Sequence, residues 1–547
     1  MSTAPTLAET RRTAREAFGW DTLLPGQGEA IASVVGGRDT LVVFPTGAGK
    51  SAVYQIAGLE LGGVTLVVSP LLALQRDQVL SIDAAPDAPA AVALNSRSSA
   101  KAERAAWAAI ESGDPVYVFL APEQFARAEV MERLIRADVR LLVVDEAHCV
   151  SAWGHDFRPD YARIGDAASA LGHPPILALT ATASSPVRAD IVEKLGMRDP
   201  HLEIRGMDRP EIHLAVTRHE SDGAKRKAVV EEVVAEPGPT LVYVATRRET
   251  ETYANELAER GRRTAAYHGG MSAKARDAVH EDWQEGRLDV VVATSAFGMG
   301  IDKADVRLVT HADVTESLDS YAQEIGRAAR DGEPARAVLH YRPEDFSVRS
   351  FFAGGHTKPS EVSAVWEALG REGRMRANAV GAAAGLSARV TSRVLGAIVA
   401  AGAATSTAKG FQALDGRHRD EVIEAVRAHE DAQQRIRESR IAVMRSYAEA
   451  VRCRRIALLE YFGVDAPEAC GACDRCDALG RDEGDADAPA SAPSDDALHP
   501  DDAVQHVEWG AGTVVSVESD RMTVFFEDQG YKVVAREALE RGIVEVA

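Results

Sequence analysis

Short apolar runs rich in β-branched residues alternate with helical stretches from about residue 36 to residue 345. In the first half these runs are TLVVF, VTLVVS, VYVFL, RLLVVDE and PILALTAT, and in the second half TLVYVAT, RTAAYH, DVVVAT, RLVTHA and ARAVLHY. Such runs are typical of parallel strands that helices cover on both faces. The polar segment AVTRHESDGAKRK divides the series. The pattern therefore predicts an α/β fold with two parallel-sheet lobes, at residues 1–214 and 215–355.

The pattern changes beyond residue 355. EVSAVWEALGRE, ANAVGAAAGL and SARVTSRVLGAIVAAGA predict three short helices, and ATSTAKGFQALDG predicts a hairpin, so residues 356–417 have the order of a winged helix. A compact three-helix unit without DNA contacts is the alternative. An Arg-rich helical module follows at 418–479, and the composition of 480–502 is that of an acidic disordered linker. Strands alternating with Gly turns predict a small β-barrel at 503–547.

Composition narrows the class of protein without deciding it. The 547 residues are too many for one core, and the net charge of −21 argues superficially against nucleic acid. Part of that acidity lies in the linker, and binding depends on where positive charge is located, so we expect a modest, salt-sensitive affinity for DNA. The sequence shows neither a bilayer-length apolar run nor a signal-peptide core, which predicts a cytoplasmic protein.

The segment VVFPTGAGKS places a strand before a glycine-rich turn and a helix after it. Backbone amides in such a turn surround a phosphate, and the helix N-terminus adds its dipole. Lys50 is predicted to reach the β- and γ-phosphates, and the Ser51 hydroxyl to bind Mg²⁺. A chance glycine turn before a helix is the alternative. The nucleotide-binding residues predicted for this loop are Thr46, Gly47, Ala48, Gly49, Lys50 and Ser51.

The run LLVVDEAH supplies an acidic box about a hundred residues later. A buried strand brings Asp145 to its carboxyl end, where α/β sheets bind ligands. We expect Asp145 to hold Mg²⁺ and Glu146 to orient and deprotonate the attacking water, with His148 included among the catalytic residues. Acidic residues at strand ends are often only helix caps, but the pairing with the glycine loop favours the catalytic interpretation.

The segment YAQEIGRAARDG in the second lobe predicts a third part of the same site. Gln323, Arg327 and Arg330 lie on one helical turn, and two guanidinium groups three residues apart share a face. Facing a nucleotide across a cleft, they are placed to neutralise charge on the γ-phosphoryl group as an arginine finger does. A solvated basic face is the alternative.

Together these segments resemble the RecQ family of superfamily 2 DNA helicases over about residues 15–350 and 435–477. PTGAGKS, SPLLALQRDQ, VVDEAHCVSAWGHDFRPDY, LTATA, YHGGMS, VVATSAFGMGIDK and YAQEIGRAARDG carry the resemblance. It implies two RecA-like lobes, ATP with Mg²⁺, and 3′→5′ movement with duplex unwinding in DNA repair and recombination. A translocase or annealer with little unwinding is the alternative enzyme. A scaffold that no longer hydrolyses ATP is disfavoured because Lys50, Glu146 and Arg330 are all present.

The resemblance also assigns the DNA contacts. The loop after the acidic box is expected to contact single-stranded DNA and report it to the ATP site, with aromatic rings stacking on bases and an arginine meeting a phosphate. Aromatic packing between sheet and helix is the alternative. This loop contributes Trp153, His155, Asp156, Phe157 and Arg158. The remaining DNA-track residues are Ser69, Gln75, Asn95, His268, Thr294 and Met299. The implied partners are single-stranded and partly duplex DNA, in a nucleoid-associated protein.

The segment FGWDTLLPGQ resembles the adenine-recognition segment of the family. Gln27 is expected to hydrogen-bond the adenine, with Trp20 near the base. An arginine usually precedes Pro-Gly-Gln in the family, whereas Leu24 has that place here. We therefore expect looser nucleotide specificity than in typical members.

Four of the five cysteines, Cys453, Cys470, Cys473 and Cys476, have the spacing C-x16-C-x2-C-x2-C. Four thiolates at this spacing predict a closed, structural Zn²⁺ site, and the flanking residues resemble the RecQ zinc module. Cys149 lies outside the cluster and is predicted to be a packed thiol. The module departs from the family in order, because the winged-helix segment here precedes it.

The last segment, VQHVEWGAGTVVSVESDRMTVFFEDQG, resembles the Tudor- or SH3-like barrels at the C-termini of UvrD-type helicases. Such barrels bind partner proteins, so the resemblance favours a tethered module that recruits RNA polymerase or a repair factor. A barrel that packs on the motor for stability is the alternative.

Overall fold

The computed structural model describes residues 6–70, 72–95, 98–154, 158–298, 303–347, 356–407, 410–414, 416–464, 469–482, 498–518 and 520–547. His155, Asp156, Phe157, Met299 and most of the acidic linker lie outside the described residues. In the described part of the chain no single helix is long and apolar enough to cross a membrane, although one bent pair of helices, Ala377–Ala384 with Ala388–Ala400, passes that test together.

The first lobe is a seven-stranded parallel sheet with helices on both faces. Its strands are β1 (Thr40–Val43), β2 (Val64–Val68), β3 (Ala90–Leu94), β4 (Val116–Leu120), β5 (Val139–Val144), β6 (Ile176–Thr180) and β7 (His201–Ile204), in the order β3-β4-β2-β5-β6-β1-β7. Its helices are α1 (Leu7–Phe18), α2 (Gln27–Val35), α3 (Lys50–Leu61), α4 (Leu72–Asp83), α5 (Ala100–Glu111), α6 (Ala128–Arg136), α7 (Ile164–Ala170) and α8 (Ser185–Leu195). Short 3₁₀ turns cover Pro122–Ala126, Ala147–Val150 and Pro159–Arg163.

The second lobe is a six-stranded parallel sheet. Its strands are β8 (Ile212–Arg218), β9 (Thr240–Tyr243), β10 (Thr264–Tyr267), β11 (Val290–Ala293), β12 (Leu308–His311) and β13 (Ala335–Tyr341), in the order β10-β11-β9-β12-β13-β8. Its helices are α9 (Asp222–Ala235), α10 (Arg247–Glu259), α11 (Ala273–Gln284) and α12 (Leu318–Ile325). The predicted boundary at residue 214/215 falls inside β8, because the polar end of this edge strand resembles a linker in sequence.

Successive residues of the central strands pack into apolar clusters on opposite faces of the sheet, so helices cover both faces. In β1, Leu41 and Val43 pack into one apolar cluster while Val42 packs into another on the opposite face. The same division continues along β2, where Leu66 and Val67 belong to the two different clusters. The two-lobe parallel-sheet prediction is confirmed.

Residues 356–414 have the element order of a winged helix. Helices α13 (Pro359–Glu372), α14 (Ala377–Ala384) and α15 (Ala388–Ala400) precede the antiparallel strands β14 (Ala404–Thr407) and β15 (Gly410–Ala413). An isolated bridge joins Met375 to Phe411, which adds a third strand position to the hairpin. The domain has its own core around Val365, Leu395 and Ile398.

The zinc-binding region and the barrel complete the chain. The region consists of α16 (Arg419–Glu449), α17 (Arg454–Tyr461) and α18 (Asp474–Asp482). The barrel has antiparallel strands β16 (Ala503–His506), β17 (Gly510–Val517), β18 (Arg521–Phe526), β19 (Gly530–Ala535) and β20 (Val544–Val546), in the order β19-β18-β17-β16-β20, with a short helix α19 (Glu537–Glu540).

The barrel packs directly on the motor. Val514, Val524 and Phe526 fill its interior. By contrast, Val515 and Tyr531 belong to the apolar cluster of the second lobe and the zinc-binding helices. Both faces of the barrel strands are therefore apolar at this point, and the structure has the packed arrangement rather than the free tether that the sequence favoured.

Candidate nucleotide and DNA site

The glycine-rich turn connects β1 to α3, and the helix begins at Lys50 with Gly49 as its N-cap. The Lys50 ammonium group donates hydrogen bonds to the carbonyls of Phe44, at 3.0 Å, and Pro45, at 3.2 Å. Burial lowers the pKa of Lys50, whereas the neighbouring Glu146 and Asp145 carboxylates act in the opposite direction. The loop amides, the helix N-terminus and this buried cation together form a site that fits a polyphosphate.

Gln27 is buried against the same turn. Its amide group donates to the carbonyls of Gly49, at 2.9 Å, and Ala48, at 3.3 Å, while its carbonyl oxygen accepts a 2.8 Å bond from the Leu24 amide. The structure thus places the predicted adenine-binding carboxamide on the phosphate loop itself. Trp20 lies nearby with its ring stacked on Phe18 at 4.8 Å. The assignment of both residues to adenine stays a prediction.

Asp145 and Glu146 follow directly after β5, at the carboxyl edge of the sheet. Burial, and then the Glu146 carboxylate, raise the pKa of Asp145 to about 7, while Lys50 and the hydrogen bond from the Glu146 amide act against this shift. A bound divalent cation would favour the ionised form. With Ser51 at the first turn of α3, Asp145 supplies the oxygen ligands that Mg²⁺ prefers, so the donor set fits ATP with Mg²⁺.

His148 connects the acidic box to the end of β6. Its Nδ1 lies 3.0 Å from the Thr180 hydroxyl and 3.4 Å from a Glu146 carboxylate oxygen. Burial, followed by the charges of Lys50 and Arg158, lowers the pKa of His148 to about 3. The imidazole is therefore neutral near pH 7 and lies between Glu146 and the LTATA segment.

The arginine segment of the second lobe reaches the phosphate loop of the first. A methyl group placed on Gly47 would lie 3.4 Å from Cδ of Arg330. Helix α12 ends at Ile325 and Ala329 has a left-handed backbone, with φ of 55°, so the prediction that Arg327 and Arg330 share one helical turn is wrong. Arg327 is buried, and Gln323 lines an interlobe cavity together with Thr46. The two lobes therefore meet at the turn, with a guanidinium group beside it.

A chain of polar contacts leads from the predicted DNA track of the first lobe to Asp145. Asn95 Nδ2 lies 3.5 Å from Gln75 Oε1, the Gln75 amide donates to the Ser69 carbonyl at 2.8 Å, and Ser69 Oγ lies 3.4 Å from Asp145 Oδ2. Ser69 and Gln75 are buried. The structure places these two side chains beneath the surface, between Asn95 and Asp145, and their contact with DNA stays a prediction.

The aromatic loop is defined as residues 151–154 and 158, the described part of the segment after the acidic box, and its residues 152–154 lie between α16 and the barrel. Arg440 of α16 donates to the carbonyls of Ala152, at 2.6 Å, and Gly154, at 2.5 Å. The half-buried Trp153 meets Phe525 edge-to-face, with ring centroids 4.8 Å apart. Arg158 donates to the carbonyl of Pro70 at 3.3 Å. Part of the loop that was predicted to bind bases is thus in contact with protein.

His268 and Thr294 lie at strand ends in the second lobe. His268 Nδ1 accepts a 3.2 Å bond from the Gly270 amide, and its Nε2 lies 3.6 Å from Glu251. Thr294 lines a polar cavity that also contains Asp313. The structure does not bring these residues into the ATP site, and their contact with DNA stays a prediction.

The four clustered cysteines meet at one point. Their sulfur atoms all lie within 4.8 Å of one another, and the pairs Cys470–Cys476 and Cys453–Cys473 are each separated by 3.8 Å. Four sulfurs at tetrahedral corners, each about 2.3 Å from a zinc ion, are separated by about 3.8 Å. The geometry therefore fits structural Zn²⁺. Cys149 is buried in the core of the first lobe, away from this cluster.

Two arginines hold the cysteine cluster in place, one within the zinc-binding region and one against the second lobe. Arg454, with only 1% of its side chain exposed, forms a 3.0 Å ion pair with Asp474, next to Cys473. Arg455 binds Asp208 at 2.8 Å and the Ile212 carbonyl at 2.7 Å. The zinc-binding region is thus joined to the strand that begins the second lobe.

Comparisons with known proteins agree with this site. The chain matches the DEAD/DEAH box helicase family at 24–190, the helicase conserved C-terminal domain at 224–332 and the RecQ zinc-binding family at 415–477. RecS of Bacillus subtilis is 37% identical over 344 residues, which cover 63% of this chain and 69% of RecS. The chain belongs to the RecQ family of DNA helicases. The predicted family and its cofactors, ATP with Mg²⁺ and structural zinc, are confirmed.

Other RecQ-family relatives are longer. RecQ of Haemophilus influenzae is 38% identical over 334 residues, which cover 61% of this chain. The same match covers 53% of that relative, so this chain spans only about half of its length. Among solved structures, the DUF1998 helicase MrfA bound to DNA covers 77% of this chain and 64% of its own, with a TM-score of 0.53 at 16% identity. The match to Lhr of Mycobacterium smegmatis, bound to single-stranded DNA and AMP-PNP, covers 78% of this chain and 61% of the Lhr chain, with a TM-score of 0.50 at 21% identity. These structures share the fold.

The barrel matches a family of unknown function, DUF3553, at residues 498–540. Sequence reasoning on this RecQ-family chain missed the residues that hold the barrel in place. Arg440 and Ser184 gave no signal, because neither belongs to a recognised pattern. Phe525 did have a signal, because it is adjacent to Phe526 in a strand and one of the two must face outward from the barrel.

Proposed function

We propose that this RecQ-family protein is a 3′→5′ DNA helicase that couples ATP hydrolysis to movement along single-stranded DNA and to duplex unwinding in repair and recombination. The observation that carries the proposal is the approach of Arg330 to the phosphate loop of the opposite lobe, where a methyl group on Gly47 would lie 3.4 Å from its Cδ. An arginine supplied across a cleft ties hydrolysis to the relative position of the two lobes. That dependence is what a translocating motor requires.

Each residue of the site has a definite task in this proposal. Lys50 and the loop amides bind the phosphates, and Asp145 with Ser51 holds Mg²⁺, which supplies charge neutralisation at the β- and γ-phosphates when bound. Glu146 orients and deprotonates water, and the neutral imidazole of His148 holds Glu146 in position. Arg330, with Arg327 behind it, stabilises the charge that develops on the γ-phosphoryl group.

DNA is proposed to run across both lobes, past the aromatic loop. The winged helix is proposed to bind the duplex ahead of the motor, with the β14–β15 hairpin separating the strands. Arg389 and Ser392 on α15 are exposed, as expected for a helix that meets a duplex. The protein is proposed to act at the nucleoid, and the barrel surface formed by the turn after β16 and by β20, where Val507 and Val546 are exposed, to bind RNA polymerase or a repair factor.

The proposal is tested by strand displacement on 3′-tailed, 5′-tailed and blunt duplexes, with and without ATP. Only the 3′-tailed substrate with ATP should be unwound efficiently. Arg330→Ala should lower the DNA-stimulated kcat by about 10³-fold, in the range of other arginine fingers. Arg260→Ala, an exposed arginine at the end of α10, serves as the control and should behave like the native protein.

Two results would contradict the proposal. ATP hydrolysis that does not respond to a single-stranded oligonucleotide would remove the coupling on which it rests. Hydrolysis that responds to DNA without displacing a strand from any of the three substrates would favour the translocase or annealer instead.

A further inference from the structure

The barrel presents an apolar outer face to the motor. This docking face, defined as Val515, Phe525, Gly530 and Tyr531, belongs to β17, β18 and β19. Val515 and Tyr531 are 4% and 1% exposed, and both belong to the core cluster of the second lobe and the zinc-binding helices. Burial to this degree is typical of a permanent contact rather than of a surface that awaits a partner.

Trp153 of the aromatic loop lies on the docking face. Its ring meets Phe525 at 4.8 Å and Tyr531 at 6.4 Å, both edge-to-face, which is a favourable arrangement for aromatic pairs. Gly530 comes so close that an added Cβ would lie 2.8 Å from Cζ3 of Trp153 and 2.6 Å from the Ser439 hydroxyl oxygen. Glycine is needed here both for this approach and for its φ of 73°.

The contact continues to the ATP site by two routes. On one side, the hydroxyls of Tyr531 and Ser184 are hydrogen-bonded at 2.7 Å in a buried position, and Ser184 follows the LTATA segment that holds His148 through Thr180. On the other side, Gly154, next to Trp153, packs on the carbonyl of His148 without room for a Cβ between them. The first route ends at the imidazole of His148 and the second at its backbone carbonyl, so both reach the residue beside Glu146.

We propose that the docking face of the barrel positions the aromatic loop, and that DNA-stimulated ATP hydrolysis in this protein depends on that contact. The inference rests on the proposed function, because it concerns how DNA binding reaches Glu146. It makes Phe525, Gly530 and Tyr531 positioning residues of the motor. A loop held at Trp153 by the barrel and at its backbone by Arg440 has a defined geometry before DNA arrives, which lowers the cost of reaching the stimulated state.

The decisive variant is Gly530→Ala, because its methyl group forces the barrel away from Trp153 and Ser439. The matched control is Gly510→Ala in the same barrel. Gly510 has φ of 79°, close to that of Gly530, but a Cβ there meets no atom within 4 Å. Both alanines carry the same backbone penalty, and only one of them breaks the contact.

The measurements are DNA-free ATP turnover, DNA-stimulated kcat, the DNA concentration that gives half-maximal stimulation, and the thermal unfolding midpoint. Gly530→Ala should lower the DNA-stimulated kcat by about tenfold or more, because the aromatic loop no longer has the geometry that the DNA-stimulated state requires, with unchanged DNA-free turnover. Gly510→Ala should keep full stimulation. Tyr531→Phe, which removes only the hydroxyl, should give a smaller loss and provides a second variant should Gly530→Ala fold poorly.

A double-mutant cycle with Trp153→Ala shows whether the two sites act through one contact. If they do, Trp153→Ala/Gly530→Ala should lose no more stimulation than the more damaging single variant, whereas independent effects would multiply. The inference is overturned by multiplying losses, by equal losses in Gly510→Ala and Gly530→Ala, or by full stimulation in Gly530→Ala. A rise in DNA-free turnover would also overturn it, because the barrel would then restrain the motor.

The failure of this inference is separable from the failure of the proposed function. If the native protein shows no stimulation by DNA, the proposed function fails and the barrel variants have nothing to change. If the native protein is stimulated and Gly530→Ala is stimulated equally, only the role of the barrel is refuted.

Discussion

Replacing Cys473 with serine should release zinc and unfold the zinc-binding region while the phosphate site stays folded. Cys473 is fully buried, and its neighbour Asp474 is the carboxylate partner of Arg454. Without the metal, the segment that carries both residues keeps its contacts with β8, such as the 3.2 Å bond from the Val216 amide to Asp474, but loses the coordination that holds it to Cys453 at the start of α17. The perturbation therefore removes more than one ligand, because it also separates an ion pair.

The magnitude follows from the burial of Arg454. Its guanidinium group keeps the carbonyls of Tyr447, at 2.7 Å, and Ala448, at 3.2 Å, but loses its carboxylate. Removing one partner of a buried ion pair lowers stability by about 3–5 kcal/mol. The free energy of unfolding of this region should fall by at least that amount, in addition to the lost zinc-binding energy.

Zinc content, urea unfolding followed by far-UV circular dichroism, and binding of a fluorescent ATP analogue measure the three consequences separately. Cys473→Ser should lose zinc and its affinity for DNA but bind the nucleotide analogue normally. Cys149→Ala, a buried thiol outside the cluster, should keep zinc. The reasoning is refuted if Cys473→Ser retains a native unfolding midpoint, or if nucleotide binding is lost together with zinc.

Two further predictions concern the ATP site. The pKa of His148 is lowered to about 3, whereas in the unfolded chain it is near 6.5. Between these two pH values only the unfolded chain binds the proton, so stability should fall as the pH drops below about 6.5. Unfolding midpoints measured between pH 7 and 5 should decline less steeply in His148→Asn than in the native protein, and equal slopes would contradict the shift. Because no guanidinium is present at Leu24, the ratio of kcat/KM for ATP over GTP should rise in Leu24→Arg, and a ratio already high in the native protein and unchanged in the variant would refute this explanation.

The central strands of both lobes could be predicted from sequence, and the reason is their burial. Strands such as β2 and β5 are covered on both faces, so their apolar runs are uninterrupted. The strands that the pattern missed, β3, β7 and β8, all lie at sheet edges. Edge strands carry polar positions, such as His201 and Glu203 of β7, and these resemble loop residues in a single sequence.

The residues of the ATP and zinc sites could also be chosen in advance, since each is tied to a short motif with a chemical reason for its spacing. What sequence could not give is the environment of Trp153. Its aromatic side chain suits a base or another ring equally well, and its partner Phe525 is more than 350 residues away in sequence. The adjacent apolar pairs Val514–Val515 and Phe525–Phe526 were the available signal that the barrel has a second buried face.

Two residues with a strained backbone conformation lie on opposite sides of the cleft. Among the residues that the structure describes, five non-glycine residues have positive φ, and two of them, Glu146 and Ala329, lie at the ATP site on opposite lobes. Such a conformation costs about 1–3 kcal/mol and persists only where the surroundings fix it. Here the Ala329 amide donates to Val306 at 3.1 Å, and its carbonyl accepts a 2.9 Å bond from Arg209.

The directions in which the Glu146 and Arg330 side chains point depend on these strained backbone conformations. Rotation of Glu146 towards the helical region would turn its carboxylate away from His148, and the same rotation at Ala329 would redirect the chain that carries Arg330. A glycine at either position would relieve the strain but would also free the backbone to leave the conformation. The bonds that hold these two residues in the left-handed region therefore also fix Glu146, the proposed general base, relative to Arg330 across the cleft.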